Sequence, residues 1–175
     1  MIKSAVTVKR TVGKPLNDSL KKLKRSYILV GIPRGGDGDS RKDGSISNSD
    51  LGWIHEKGAP AAGIPPRPFL DPGVESVKDK VAERMGQAID AALKGKEQVM
   101  DACLEAAAME SESAVKKYMM AGNVAPLKPS TIKHRNASRG TKEKRKGEAS
   151  GTASVTPLIN TGALRDAITA TVHKE

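Results

Sequence analysis

The sequence predicts an α+β fold: a small antiparallel sheet packed against one long, kinked helix, with short helices and long flexible loops. Three observations carry this. Tyr27-Ile28-Leu29-Val30-Gly31-Ile32 is an apolar, β-branched run stopped by Pro33, which reads as a strand. Val74, Val77, Val81, Met85, Ala88 and Ala92 recur at helical spacing. Ile168, Ala170 and Val172 alternate along the chain, as one face of a strand does.

The remaining elements follow in order. Ile2 to Lys9 alternates weakly and reads as a short strand. Leu16, Leu20 and Leu23 after Pro15 predict an amphipathic helix to about Arg25. Residues 34–50 are turn-rich, with Ile46 their lone apolar residue, and read as a flexible loop or hairpin tip. Leu51 to Lys57 reads as a second strand, antiparallel to the first. Prolines at 60, 65, 66, 68 and 72 predict an extended connector, anchored by Phe69 and Leu70. The helical stripe then runs to Met119. Unbroken, residues 74–120 would span about 70 Å, so a bend near Gly95 is expected. Gly122-Asn123 supplies C-cap chemistry. Pro129-Ser130-Thr131-Ile132 can start a short helix. Residues 136–156 hold no large apolar residue before Val155 and are expected to be mobile or partner-dependent. Thr161, as N-cap, opens a helical turn through Asp166. The last strand, 167–172, should pack Ile168 and Val172 against the long helix, on a sheet shared with Tyr27–Ile32 and Leu51–Lys57.

The chain has 175 residues, which suits a single domain spanning 1–175. Apolar residues make up 37% and aromatics 2%, so the core must be small and built from aliphatics and alanine. No apolar run approaches the roughly 20 residues needed to span a bilayer, so no membrane is expected among the partners. Met1-Ile2-Lys3-Ser4 lacks the apolar stretch of a signal peptide, and Cys103 stands alone, which excludes a disulfide framework. Both predict a chain made and kept in a reducing cytoplasm, or one that leaves it without an export signal.

The net charge of +10 favours anionic partners. Arg139, Lys142, Lys144, Arg145 and Lys146 are the candidate contacts, to DNA non-specifically or to an acidic protein surface. The aromatic interleaving of single-strand binders is missing, so phosphate contact would be salt-sensitive and sequence-blind.

No catalytic constellation emerges. His55-Glu56 would need a second histidine at position 59, where Ala59 stands, so it makes no zinc pair. Asp37, Asp39 and Asp43 fail the EF-hand pattern at Arg41 and Lys42. Gly31 to Gly36 lacks the Gly-Lys-Ser/Thr of a P-loop, and no Gly-x-Ser-x-Gly elbow occurs. Cys103 sits among Val99, Leu104 and Ala107 and reads as a small core residue. The methionines read as adaptable packing. The expectation is therefore a non-enzyme, with no metal or cofactor.

Two ordered segments say more. One is Leu51-Gly52-Trp53-Ile54-His55-Glu56-Lys57-Gly58, leading into Arg67-Pro68-Phe69-Leu70. The other is Leu127-Lys128-Pro129-Ser130-Thr131-Ile132, followed by Leu158-Ile159-Asn160-Thr161-Gly162-Ala163-Leu164-Arg165-Asp166-Ala167-Ile168. Their order resembles the tail completion and virion morphogenesis proteins of tailed bacteriophages, small neck proteins at the head–tail joint. In that family a His-Glu-x-Gly strand end precedes an Arg-Pro-Phe-Leu element and a long helix, and a Thr-Gly-x-Leu-Arg-x-Ser-Ile element precedes the last strand. Ala167 stands where the family often has serine. The likeness covers roughly residues 27–172.

The resemblance implies a structural virion protein, assembled in the host cytoplasm. It would form a homo-oligomeric ring, a hexamer, at the neck or tail top, in contact with neighbouring neck and tail proteins. It points to Trp53, His55, Glu56, Arg67, Phe69, Leu70, Thr161, Gly162, Leu164 and Arg165 as structural or assembly residues. Phe69 and Leu70 are expected to be buried, Arg67 to make polar contacts, and Arg165 to form an ion pair. The alternatives are a basic DNA-binding accessory protein and, within the same family, a tail terminator.

Overall fold

A computed structural model describes residues 13–36, 38–41, 46–146, 156–159 and 162–174, with backbone alone at 14, 15 and 138–146. The strand expected at 2–9 lies outside them. Helix α1 (Lys14–Arg25) turns directly into strand β1 (Ser26–Gly31). Strand β2 (Thr169–Lys174) pairs antiparallel with β1 and completes a two-stranded sheet. The register sets Ile28 opposite Val172 and Val30 opposite Ala170 on the face toward the helices. On the other face Tyr27 stacks on His173, with ring centroids 5.3 Å apart.

The sheet is one strand smaller than expected, because Leu51–Lys57 is not a strand. Helix α2 (Asn48–Lys57) occupies that stretch. Its local chemistry explains the correction. The Ser47 hydroxyl accepts the Asp50 amide at 3.1 Å, a helix N-cap. Gly58, at φ +76°, donates its amide to the Ile54 carbonyl at 2.8 Å and ends the helix. Leu51 and Ile54, three apart, share one face, and Trp53 and Lys57, four apart, share the exposed one.

The connector is likewise more structured than its prolines suggest. Pro60–Ala62 forms a 3₁₀ turn, and helix α3 (Leu70–Glu75) begins immediately after Phe69. Pro72 sits in the first turn of α3, where a missing N–H costs nothing. Between them, Pro65 to Pro68 take up neither helix nor strand.

The long helix is two helices. Helix α4 (Lys78–Leu93) and helix α5 (Glu97–Ala121) pack side by side as a hairpin. Gly95 adopts φ +67°, its amide donates to Ala92, and the Lys96 amide donates to Ala91. This pair of bonds is the Schellman closure, which stops a helix and does not merely bend it. Reversal also answers the length problem, since each half fits the domain. Gly122 ends α5 at φ +69°.

Helix α6 (Pro129–Lys146) runs well past the short helix expected, through the first half of the basic segment expected to be without order. Its strongly helix-compatible residues Lys142, Glu143, Lys144, Arg145 and Lys146 need no apolar burial to take that backbone. Helix α7 (Ala163–Asp166) has Gly162 at its N-cap position, with φ +86° and no side-chain cap bond. Thr161 itself lies outside the described residues.

Two buried clusters hold these elements. Phe69, Val115, Met119, Leu158, Leu164 and Ile168 form one. Ala88, Ala91, Ala92, Met100 and Leu104 form the other, with Leu20, Leu23, Cys103 and Val172 packed against it. The alanines let α4 and α5 approach closely where large side chains are scarce. Ile168 and Val172 thus both reach the α4–α5 hairpin, as the alternation predicts.

Candidate functional site

The residues of the first motif meet at one place. The Arg67 amide donates to the His55 carbonyl at 2.6 Å, which lays the proline connector back against the end of α2. Glu56 Oε2 accepts the amides of Phe69 at 2.8 Å and Leu70 at 3.0 Å. Helix α3 has no cap of its own, because Phe69 offers no acceptor. A carboxylate from α2 satisfies its orphan donors and complements its positive end. The Arg67 side chain is buried, and Nε donates to the Ala125 carbonyl at 2.7 Å and Nη2 to Pro126 at 3.0 Å. One guanidinium therefore ties the connector to the segment after α5. Gly58 permits this: a Cβ there would stand 2.8 Å from the Pro66 nitrogen.

Phe69 is buried beneath this clasp, and Leu70 is half-buried beside it. His55 is half-buried, and its Nδ1 is enclosed without a hydrogen bond. Burial, and then the charges of Arg67, Arg135 and Arg41, hold its imidazole below the usual histidine range, in the neutral form. Trp53 points away from the clasp, 67% exposed, with the Lys57 ammonium 5.8 Å from its ring centroid.

The second motif is elsewhere. Leu164 is buried in the Phe69 cluster. Arg165 finds its acidic partner in its own neighbour: Nη2 lies 2.7 Å from Asp166 Oδ1. Arg139, Lys142, Lys144, Arg145 and Lys146 fall in the last eight residues of α6, of which the backbone alone is described. The structure therefore joins His55, Glu56, Arg67, Phe69 and Leu70 into one unit and adds Leu164 from below. It leaves Trp53, Arg165 and the basic cluster outside it.

Three acidic residues carry tertiary roles that the sequence reading passed over. Asp101 accepts Lys22 at 2.7 Å and Lys174 at 2.9 Å, joining α1, α5 and β2. Burial would raise its carboxyl, but these two lysines outweigh it and hold it below the usual range. Glu112 accepts Lys116 and the Ala170 amide. Asp39 accepts the amides of Gly35 and Ser49, which hold its carboxyl low and close the loop onto α2. Lys116 lies one turn from Glu112, but Ala170 and both partners of Asp101 lie tens of residues away, so no local motif announces them.

Among the described residues no group of three His, Cys, Asp or Glu side chains could hold a metal. No helix among them is long and apolar enough to cross a membrane. Glu56 and Arg67 spend their polar side chains on backbone amides and carbonyls. Comparison with protein-family models, with curated proteins and with solved structures finds no match to this chain.

Besides Trp53, the side chains of Leu29, Leu93, Val99 and Met109 are at least half exposed, in a chain short of apolar residues.

Proposed function

We propose that this chain is a structural virion protein of a tailed phage, a ring-forming subunit at the neck or tail top that completes the tail and helps join it to the head. Support comes from the ordered motifs and from what their residues do. The His-Glu and Arg-Pro-Phe-Leu elements clasp one another, a use suited to a scaffold and not to a reaction centre. The observation that carries the reading is the exposure of large apolar side chains, Met109 at 71% and Trp53 at 67%, in so thin a core. Large apolar side chains so exposed are contact points that symmetric copies can cover.

Native mass measurement and negative-stain imaging of the purified chain test the reading, with rings of uniform size as the expected outcome. A second reading, a basic DNA-binding accessory protein, draws on α6, whose helical backbone displays five cations in its last eight residues. DNA titration separates the two. Affinity that falls steeply with salt and needs no ring favours the accessory protein.

A further inference from the structure

We infer that copies of this chain associate head-to-tail through two different faces of the α4–α5 hairpin: an acid-edged apolar stripe on α4 enters a lysine-edged groove between α4 and α5 of the next copy. The inference shares with the ring reading the premise that copies meet, and adds which faces do so.

The stripe is Met85, Ile89 and Leu93, exposed by 42%, 49% and 56%. Ala82, about one turn before Met85, and Gly86 lie on the same side, and a Cβ at Gly86 would touch nothing. Residues four apart on a helix stack along one face, so these side chains form a continuous ridge of about two and a half turns. Asp79, Glu83 and Asp90 follow one edge of the ridge at i, i+4 and i+11. Asp90 pairs with Lys94, whereas Asp79 and Glu83 make no ion pair among the described residues.

The groove lies on the other side of the hairpin. Val77, Lys80, Met109, Ser113, Lys117 and Tyr118 line a hollow of about 520 Å³, together with Glu110, whose Oε1 accepts from Arg84. It continues along α5 past Met120 and Lys116. On α4 the groove is lined by Lys80, nine positions from Ile89 and so about 180° around the helix. Lys80 and Lys117 make no ion pair among the described residues.

Charge and position together name the occupant. An apolar ridge edged by two carboxylates outside any described ion pair, of which Glu83 accepts the Gln87 side-chain amide, matches an apolar groove edged by two ammonium groups likewise outside any described ion pair. Both belong to one chain, on opposite sides of one helix, so a copy cannot satisfy its own groove. It offers its ridge to one neighbour and its groove to another. Such a heterologous contact closes into a ring where the rotation permits. The methionines suit the groove because their side chains adapt to an incoming ridge.

The test uses the full chain in three forms: the natural sequence, a groove variant (Met109→Glu with Lys117→Glu) and a stripe variant (Ile89→Lys with Leu93→Lys). Each is followed by sedimentation over a concentration series, and thermal melts check the fold. The natural chain is expected to associate, and each variant alone to need on the order of tenfold higher concentration or more. An equal mixture of the variants should stop at dimers, since the groove variant keeps its ridge and the stripe variant keeps its groove. A double variant, Met109→Cys with Ile89→Cys in a Cys103→Ser background, should give an intermolecular disulfide ladder on oxidation. Association that neither variant weakens overturns this interface and leaves the ring reading standing. A natural chain that stays monomeric throughout overturns both. Should a variant melt abnormally, the cysteine pair decides, and failure to crosslink under conditions where the natural chain associates overturns the inference.

Discussion

The Ala170 amide of β2 donates to Oε2 of Glu112 on α5 at 2.9 Å. Ala170 faces Val30 across the sheet, and its amide points away from β1 to the helix. A side chain of α5 thus stands in for a third strand at that point of the edge.

Replacing Glu112 should loosen the sheet from the helix. Glu112→Ala leaves a part-buried amide unmet and removes the partner of Lys116, at a cost of about 1–3 kcal/mol. The hydrogen bond from Lys116 first, and the Ala170 amide after it, hold the Glu112 carboxyl below its usual range against the opposing effect of burial. Its contribution is present above the ordinary glutamate value and lost as pH falls through the lowered one. Urea midpoints for the natural chain and Glu112→Gln should therefore differ near neutral pH and converge as pH falls below the ordinary glutamate value of about 4.3.

Glu56 should behave as a helix cap supplied from a distance. Glu56→Ala deprives Phe69 and Leu70 of their acceptor and should cost about 1–2 kcal/mol. Glu56→Gln, which keeps an acceptor oxygen and loses the charge, should recover part of it. Hydrogen exchange would report faster exchange of the Phe69 and Leu70 amides in the alanine variant, and unaltered rates would refute the cap.

His55 should make the fold sensitive to mild acid. Its enclosed imidazole, disfavoured as a cation by burial and by three arginines, binds a proton less readily folded than unfolded. The stability it protects is whole above the unfolded value of about 6.5 and declines as pH falls below it toward the folded value. Denaturant midpoints between about pH 7.5 and pH 5.5 should fall for the natural chain and stay flatter for His55→Gln. Equal slopes would sink the argument.

Two glycines should respond in opposite senses to alanine. In α3, a Cβ on Gly73 would stand 2.7 Å from the Val115 Cα, so α3 and α5 must separate. Overpacking of this kind costs about 1–3 kcal/mol and exceeds the roughly 1 kcal/mol of helix propensity gained. In α4, a Cβ on Gly86 meets nothing, so Gly86→Ala should raise the melting temperature. Melting curves of the two variants check both signs.

The sequence by itself determined the elements whose signals are local. Proline opened α1, β-branched residues and Pro33 bounded β1, Gly122 closed α5, and alternation at Ile168, Ala170 and Val172 marked β2 and its buried face. It also predicted the burial of Phe69 and the alanine-rich core. Only the tertiary structure decided the rest. A six- or seven-residue stretch such as Leu51–Lys57 has too little length for period to separate strand from helix, and the caps at Ser47 and Gly58 tipped it. Gly95 marks an interruption in any reading, but whether a helix bends or reverses there depends on two alanine faces finding each other across the hairpin. The clasp of Glu56 on Phe69 and Leu70, the Arg67 tie to Ala125, and the bond from Ala170 to Glu112 join residues from 13 to 58 positions apart. Hydrogen bonds of that range obey no spacing rule, because the fold and not the neighbouring residues brings donor to acceptor.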